Sequence, residues 1–205
     1  MVEAPSIIFG GPQTICDDDN FPLQFSASNA VTYSWTCNPP FPAFPSTASS
    51  INFNGPYQVS VTTTYTVTLY STTNSGCTST ANYPFTIVNA PPVPVVTPSG
   101  PISACGNPSV TLTVSTPFQY VSSIVWYQNF FSNPIAGSNG QTSITVTSTG
   151  NYFATVTAAG GACLKFSNMV NVVFSPPPTV TFTVVNENCA IANDGEITAV
   201  ATGNP

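Results

Sequence analysis

The 205-residue chain carries seven acidic side chains, one basic side chain (Lys165) and no histidine, an inventory that leaves few groups for acid–base chemistry and argues against an enzyme. A net charge of −6 with a single lysine cannot neutralise phosphates, which excludes nucleic acid and anionic membrane surfaces as partners. The mean hydropathy is positive, yet no stretch approaches the ~18 uninterrupted apolar residues of a spanning helix, and 21 prolines and six cysteines suit short strands better than lipid-facing ones, so no membrane insertion is expected.

The opening MVEAPSIIFG has neither the basic nor the apolar region of a secretory signal. Residues 1–4 read as the end of a preceding module, because Val2, Ala4 and Pro5 match Val88, Ala90 and Pro91. A first module follows over 5–90. It opens with PQTIC, ending at Cys16, and continues through the acidic run CDDDN and the apolar strand FPLQFSAS (21–28). The strand VTYSWT (31–36) brings Trp35, with Cys37 immediately beyond it. In YTVTLYST (65–72) period-2 alternation puts Tyr65, Val67 and Leu69 on one face. A glycine turn then carries Cys77, the strand NYPFTIVN follows, and the proline run APPVP marks a boundary, since proline donates nothing to a sheet ladder and stiffens a linker.

The second module, 91–176, repeats this order. PISAC ends at Cys105, SVTLTVS (109–115) is the apolar strand, and SSIVWYQ (122–128) brings Trp126. NYFATVTA (151–158) places Tyr152, Ala154 and Val156 on one face, GGACLK carries Cys163, and NMVNVVF runs into SPPP. Residues 177–205 begin a third module, with Cys189 in the place of Cys16 and Cys105; the three recur at intervals of roughly 85 to 90 residues.

Short strands, no helical periodicity and a Cys…Trp…Cys order predict an all-β chain of tandem immunoglobulin-like antiparallel sandwiches joined by proline-rich linkers. Trp35, Trp126, Tyr65 and Tyr152 are expected in the cores. The repeated cysteines, without histidine for a metal site, point to disulfides in an oxidising compartment. The expected pairs are Cys16 with Cys77 and Cys105 with Cys163, each closing a loop of about 60 residues worth roughly 4 kcal/mol in the chain-entropy model. Cys37 and Cys189 are left with three outcomes: a mutual bond, a bond to another chain, or, for Cys37, a buried thiol. Asp17, Asp18 and Asp19 offer hard oxygen ligands to Ca2+, but the run lacks the alternate spacing and the glycine of a calcium loop; a solvated turn and no cofactor are expected.

The closing stretch NCAIANDGEITAVATGNP resembles the opening of the SprB-type repeat of large surface adhesins in gliding Bacteroidota, through Cys189, Asn193, Asp194, Gly195, Ile197, Gly203 and Pro205. Residues 5–178 resemble, more loosely, the Ig-like and PKD-like modules of such proteins. The resemblance implies export by the type IX system, with the signals outside this stretch, and an extracellular, surface-displayed location. It implies a non-enzymatic segment of a long filament, a semi-rigid stalk with many weak binding faces. Its partners would be neighbouring modules and surface polysaccharide. Two alternatives stand beside it: a pilus-like subunit that polymerises by donating strands from residues 179–205, and accessory modules of a secreted enzyme.

Overall fold

The computed structural model describes residues 7–20, 22–115, 121–158, 161–186, 188 and 195–203. Among these residues seventeen strands follow in chain order: β1 Ile7–Gly10, β2 Thr14–Cys16, β3 Leu23–Ala27, β4 Thr32–Asn38, β5 Ser50–Phe53, β6 Thr63–Thr72, β7 Thr78–Val88, β8 Val95–Thr97, β9 Ile102–Cys105, β10 Val110–Ser115, β11 Ser123–Gln128, β12 Ser143–Val146, β13 Gly150–Thr157, β14 Lys165–Phe166, β15 Val170–Ser175, β16 Thr179–Val185 and β17 Glu196–Thr202. The chain is all-β. No helix among the described residues is long and apolar enough to cross a membrane.

The first seven strands form two sheets, ordered β1-β3-β5 and β2-β7-β6-β4. The next eight repeat that plan as β8-β10-β12 and β11-β13-β15-β9, with β14 added beside β13, and β16 pairs with β17. In both sandwiches the first strand crosses from one sheet to the other part-way along. Thus β1 runs antiparallel to β3 while β2 lies parallel to β7, and β8 runs antiparallel to β10 while β9 lies parallel to β15. The switch needs a backbone that L side chains rarely adopt, and both crossings use a glycine-proline pair, with Gly11 at φ 137° and Gly100 at φ 98°.

Alternation sets the inward faces. Tyr65, Val67 and Leu69 of β6 are buried between their outward threonines. They join Ile15, Leu23, Phe25, Trp35, Phe41, Ile51, Phe85 and Ile87 in one core drawn from both sheets. That core is rich in rings: Tyr65 stacks on Phe85 at 5.3 Å, and Phe41 meets Tyr65 edge-on at 5.0 Å. In the second sandwich Val96, Leu112, Val114, Trp126, Tyr152, Ala154, Val170 and Val172 are buried.

By contacts the chain divides into two compact units. One contains Met1–Pro94, Thr116–Ile124 and Thr155–Phe166; the other contains Val95–Ser115, Val125–Ala154 and Ser167–Pro205.

Candidate functional site

The densest chemistry lies in the first unit, where CDDDN follows β2. β2 ends level with β7, Cys16 opposite Val88. The backbone then turns: the Asp17 N–H donates to the Val88 carbonyl at 2.9 Å, and the Asp19 N–H donates to the Cys16 carbonyl at 3.1 Å. Each carboxylate has its own task. Asp17 Oδ1 accepts from the Ala90 N–H at 2.9 Å, Asp19 Oδ2 accepts from the Cys16 N–H at 3.1 Å, and Asp18 forms an ion pair with Lys165. The short acidic side chains thus satisfy local backbone donors, the ordinary role of Asp in a turn. The pair uses the chain's single cation, and its partial exposure keeps its worth small.

Glycine fits the turn closely. A Cβ at Gly55 would come to 1.8 Å from the Asp19 carbonyl oxygen. Tyr57 donates its backbone N–H to the Asp17 carbonyl at 2.7 Å, and burial, with the Asp19 carboxylate adding to it, raises its phenol pKa.

Cys16, Asp18 and Asp19 bring their ligand atoms within 4.8 Å of one another, the spacing of a metal cluster. The Cys16 sulfur is held in a disulfide and the carboxylates are engaged as described. These contacts give the acidic turn a structural role.

The disulfide corrects both expected pairings: Cys16 is bonded to Cys163, 147 residues away, with the Cα atoms 5.5 Å apart. The reason is geometric. Cys16 lies at the Val88 end of β7 and Cys77 just before its other end, so the 11 residues of β7 separate them by about 35 Å at ~3.4 Å per residue. A disulfide spans Cα atoms no more than about 7 Å apart. The same holds in the second sandwich, where Cys105 sits opposite Ser175 and Cys163 follows the far end of β13. Within the first unit Cys163 is buried with Val88 and Ala158, and Cys16, Ala90 and Ala162 pack against them.

Among the described residues three thiols are free: Cys77 and Cys105 are exposed, while Cys37 is half-buried and packs against the first core. Cys189, Asn193, Asp194 and Pro205 lie outside the described residues. Burial raises the Cys37 pKa from 9.0 to about 11. A raised folded pKa favours the neutral thiol, so its contribution to stability is complete below about pH 9 and is lost as pH rises through 11. At pH 8 a maleimide should accordingly label Cys37 about 100-fold more slowly in the native chain than in guanidinium, as two pKa units of thiolate depletion require. Peptide mass spectrometry at timed intervals would check this.

Trp35 and Trp126 are fully buried, and each indole N–H reaches a loop carbonyl: Ala48 O at 2.7 Å and Gln141 O at 2.8 Å. Tyr65 and Tyr152 are also buried, and the Tyr152 hydroxyl donates back to the Ser148 carbonyl at 2.7 Å. This is the corner interaction of Ig-type sandwiches.

Two groups of residues escaped sequence reading. Phe41 and Phe44 enter the first core from the proline-rich loop NPPFPAFP, where no periodicity marks them. Phe153 alternates outward from Tyr152 and yet is buried, stacked on Tyr127 at 5.2 Å, while Tyr127 stacks in turn on the exposed Phe131 at 5.0 Å. The second sandwich therefore has an aromatic cluster outside its core. The outer surface of β6 and β7 is instead a hydroxyl ladder, with Thr64 against Thr86 at 2.9 Å and Thr68 against Asn82 at 2.8 Å.

No protein-family model matches the chain, and no curated protein matches it. Among solved structures it is similar to murine CEACAM1b, at 15% identity and TM-score 0.48 over 83% of this chain and 99% of that one. It is also similar to the fibronectin(III)-like modules of Clostridium thermocellum CbhA, at 10% identity and TM-score 0.42 over 82% and 95%. A third similarity is to the Bacteroides ovatus mixed-linkage glucan utilization protein SGBP-B, solved with a heptasaccharide, at 16% identity and TM-score 0.31 over 83% of this chain and 47% of that one. At these identities the likeness concerns fold alone. The two sandwiches built strand by strand above, with their crossing first strands and buried tryptophans, define the chain as tandem Ig-like modules.

Proposed function

We propose that this chain is a non-enzymatic, load-bearing segment of an exported cell-surface filament of the gliding-adhesin type. The observation that carries the reading is the Cys16–Cys163 bond. Tension applied along the chain enters at Cys16 and leaves at Cys163 through a covalent link, so the intervening residues need not unravel. Such a bond suits an oxidising compartment, and the resemblance of residues 189–205 to the SprB-type repeat supports the parent class. Adhesion would come from many weak faces acting together, with neighbouring modules and surface polysaccharide as partners. The hydroxyl ladder on β6 and β7 and the exposed Phe131, backed by the buried Tyr127 and Phe153, are the faces that would supply it. Accessory modules of a secreted enzyme would share this mechanics.

Strand donation is the second reading. Val180, Phe182 and Val184 are exposed on one face of β16, with Ile197, Ala199 and Ala201 opposite them in β17. That face calls for a covering sheet. However, β16 already pairs along its length with β17, and both sandwiches hold strands in two sheets without it, which favours the start of a further module over a donated strand.

Single-molecule pulling from the two ends tests the load-bearing reading. The oxidised chain should extend about 500 Å less than the reduced chain, because the 147-residue span stays locked at up to ~3.6 Å per residue. Equal extension in both states would remove the reading.

A further inference from the structure

Cys37 apart, the two repeats carry their cysteines in two equivalent places, and only half of those places are bonded. The first place is the end of the strand that lies parallel to the last strand. Cys16 ends β2 opposite Val88, and the next N–H, of Asp17, donates to the Val88 carbonyl at 2.9 Å. Cys105 ends β9 opposite Ser175, and the next N–H, of Gly106, donates to the Ser175 carbonyl at 3.2 Å. The second place is the glycine turn that follows the long central strand. After β6 the turn is closed by Gly76 N–H to Thr73 O at 2.9 Å and Thr73 N–H to Cys77 O at 2.9 Å. After β13 it is closed by Gly161 N–H to Ala158 O at 3.1 Å and Ala158 N–H to Ala162 O at 3.0 Å, and Cys163 stands one residue beyond the position of Cys77. Gly76 and Gly161 share the same left-handed backbone, φ 81° and 76°.

The bond present joins the strand-end cysteine of the first repeat to the turn cysteine of the second. What remains is the turn cysteine of the first, Cys77, and the strand-end cysteine of the second, Cys105, both exposed. Inside either sandwich the two places lie at opposite ends, so neither thiol has a bonding partner in its own repeat. We propose that Cys105 of one chain and Cys77 of a second copy form the same strand-end-to-turn disulfide head to tail, linking copies covalently in series. A disulfide oxidant of the glutathione class supplies the oxidising equivalents. The Cys105 thiolate attacks its S–S bond and releases one thiol; the Cys77 thiolate of the second copy then attacks the mixed disulfide and releases the other. Two protein thiols lose two electrons and two protons, and the oxidant leaves as two thiols. The proposal concerns bonds between copies and stands apart from the load-bearing role, so the two tests fail separately.

The test mixes two full-length chains, both with Cys37→Ser and Cys189→Ser and with the Cys16–Cys163 bond intact. One keeps Cys105 with Cys77→Ser, and the other keeps Cys77 with Cys105→Ser. After addition of oxidised glutathione, products are resolved on non-reducing gels and the linked peptides mapped by mass. The expected result is a mixed dimer joined through Cys105 and Cys77, exceeding either homodimer by about tenfold, as geometric selection of one pairing by ~1.4 kcal/mol requires. A statistical mixture of dimers, predominant homodimers, or monomers capped with glutathione would overturn it.

Discussion

Replacing Cys16 and Cys163 together with serine should lower the stability of the first unit by about 5 kcal/mol, whereas replacing Cys77 and Cys105 together should leave it unchanged. The first figure follows from the 147-residue separation of the bonded pair: in the chain-entropy model a closed loop of that length removes about 5 kcal/mol of freedom from the unfolded chain. At the ~2–4 °C per kcal/mol typical of this chain size, the melting temperature falls by about 10–20 °C. The small cluster around the bond adds to the loss, because serine at 163 would put a hydroxyl among Val88, Ala158, Ala90 and Ala162. Calorimetry of the two double variants beside the oxidised parent, all without reductant, reads this directly. A drop in the Cys77/Cys105 variant equal to that of the other would point back to bonds closed within each module, the pairing that strand geometry opposes.

That pairing shows where the sequence stops being informative. Alternation in YTVTLYST and NYFATVTA marked the inward faces correctly, because a period of two is a local property of a strand. The tryptophans stood out by type. Disulfide partners, however, depend on which ends of which strands meet, and the spacing of cysteines along the chain carries no such information. Cys16 and Cys77 belong to one repeat and sit at opposite ends of it. The crossing strands β1 and β8 were hidden for a related reason: IIFG and VVT are short and lie among prolines and glycines, so they read as linker. Phe41 and Phe44 show the same limit, since a proline-rich loop can deliver rings to a core without any periodic signature. At the acidic turn, the carboxylate-to-backbone bonds of Asp17 and Asp19 were within reach of sequence reasoning as turn chemistry, while the ion pair of Asp18 with Lys165 joins residues 147 apart and was not.

Trp35→Ala and Trp126→Ala should each destabilise their sandwich by about 3–5 kcal/mol, the cost of deleting a large buried ring. Both rings are fully buried, but burial is only part of their role. Each tryptophan also pins the strand that bears it to the loop that follows. For Trp35 the backbone N–H donates to Ser46 O at 2.7 Å, Ser46 returns its N–H to Trp35 O at 3.2 Å, and the indole N–H reaches Ala48 O. For Trp126 the backbone N–H donates to the buried Ser138 Oγ at 3.2 Å, the Ile135 N–H donates to Trp126 O at 2.8 Å, and the indole reaches Gln141 O. Trp→Phe separates the two contributions. It keeps most of the apolar volume and removes the indole donor, leaving a loop carbonyl that must find water or stay unpaired, at about 1–3 kcal/mol. Denaturant titration of the four single variants should therefore show alanine costing more than phenylalanine at both positions. Amide exchange should quicken in 46–48 and 138–141 in the phenylalanine variants, while the central positions of β6 and β13 stay protected. If Trp→Phe left those loops unchanged, the indole bonds would contribute nothing beyond packing, and the tryptophans would be interchangeable with any ring that fills the space.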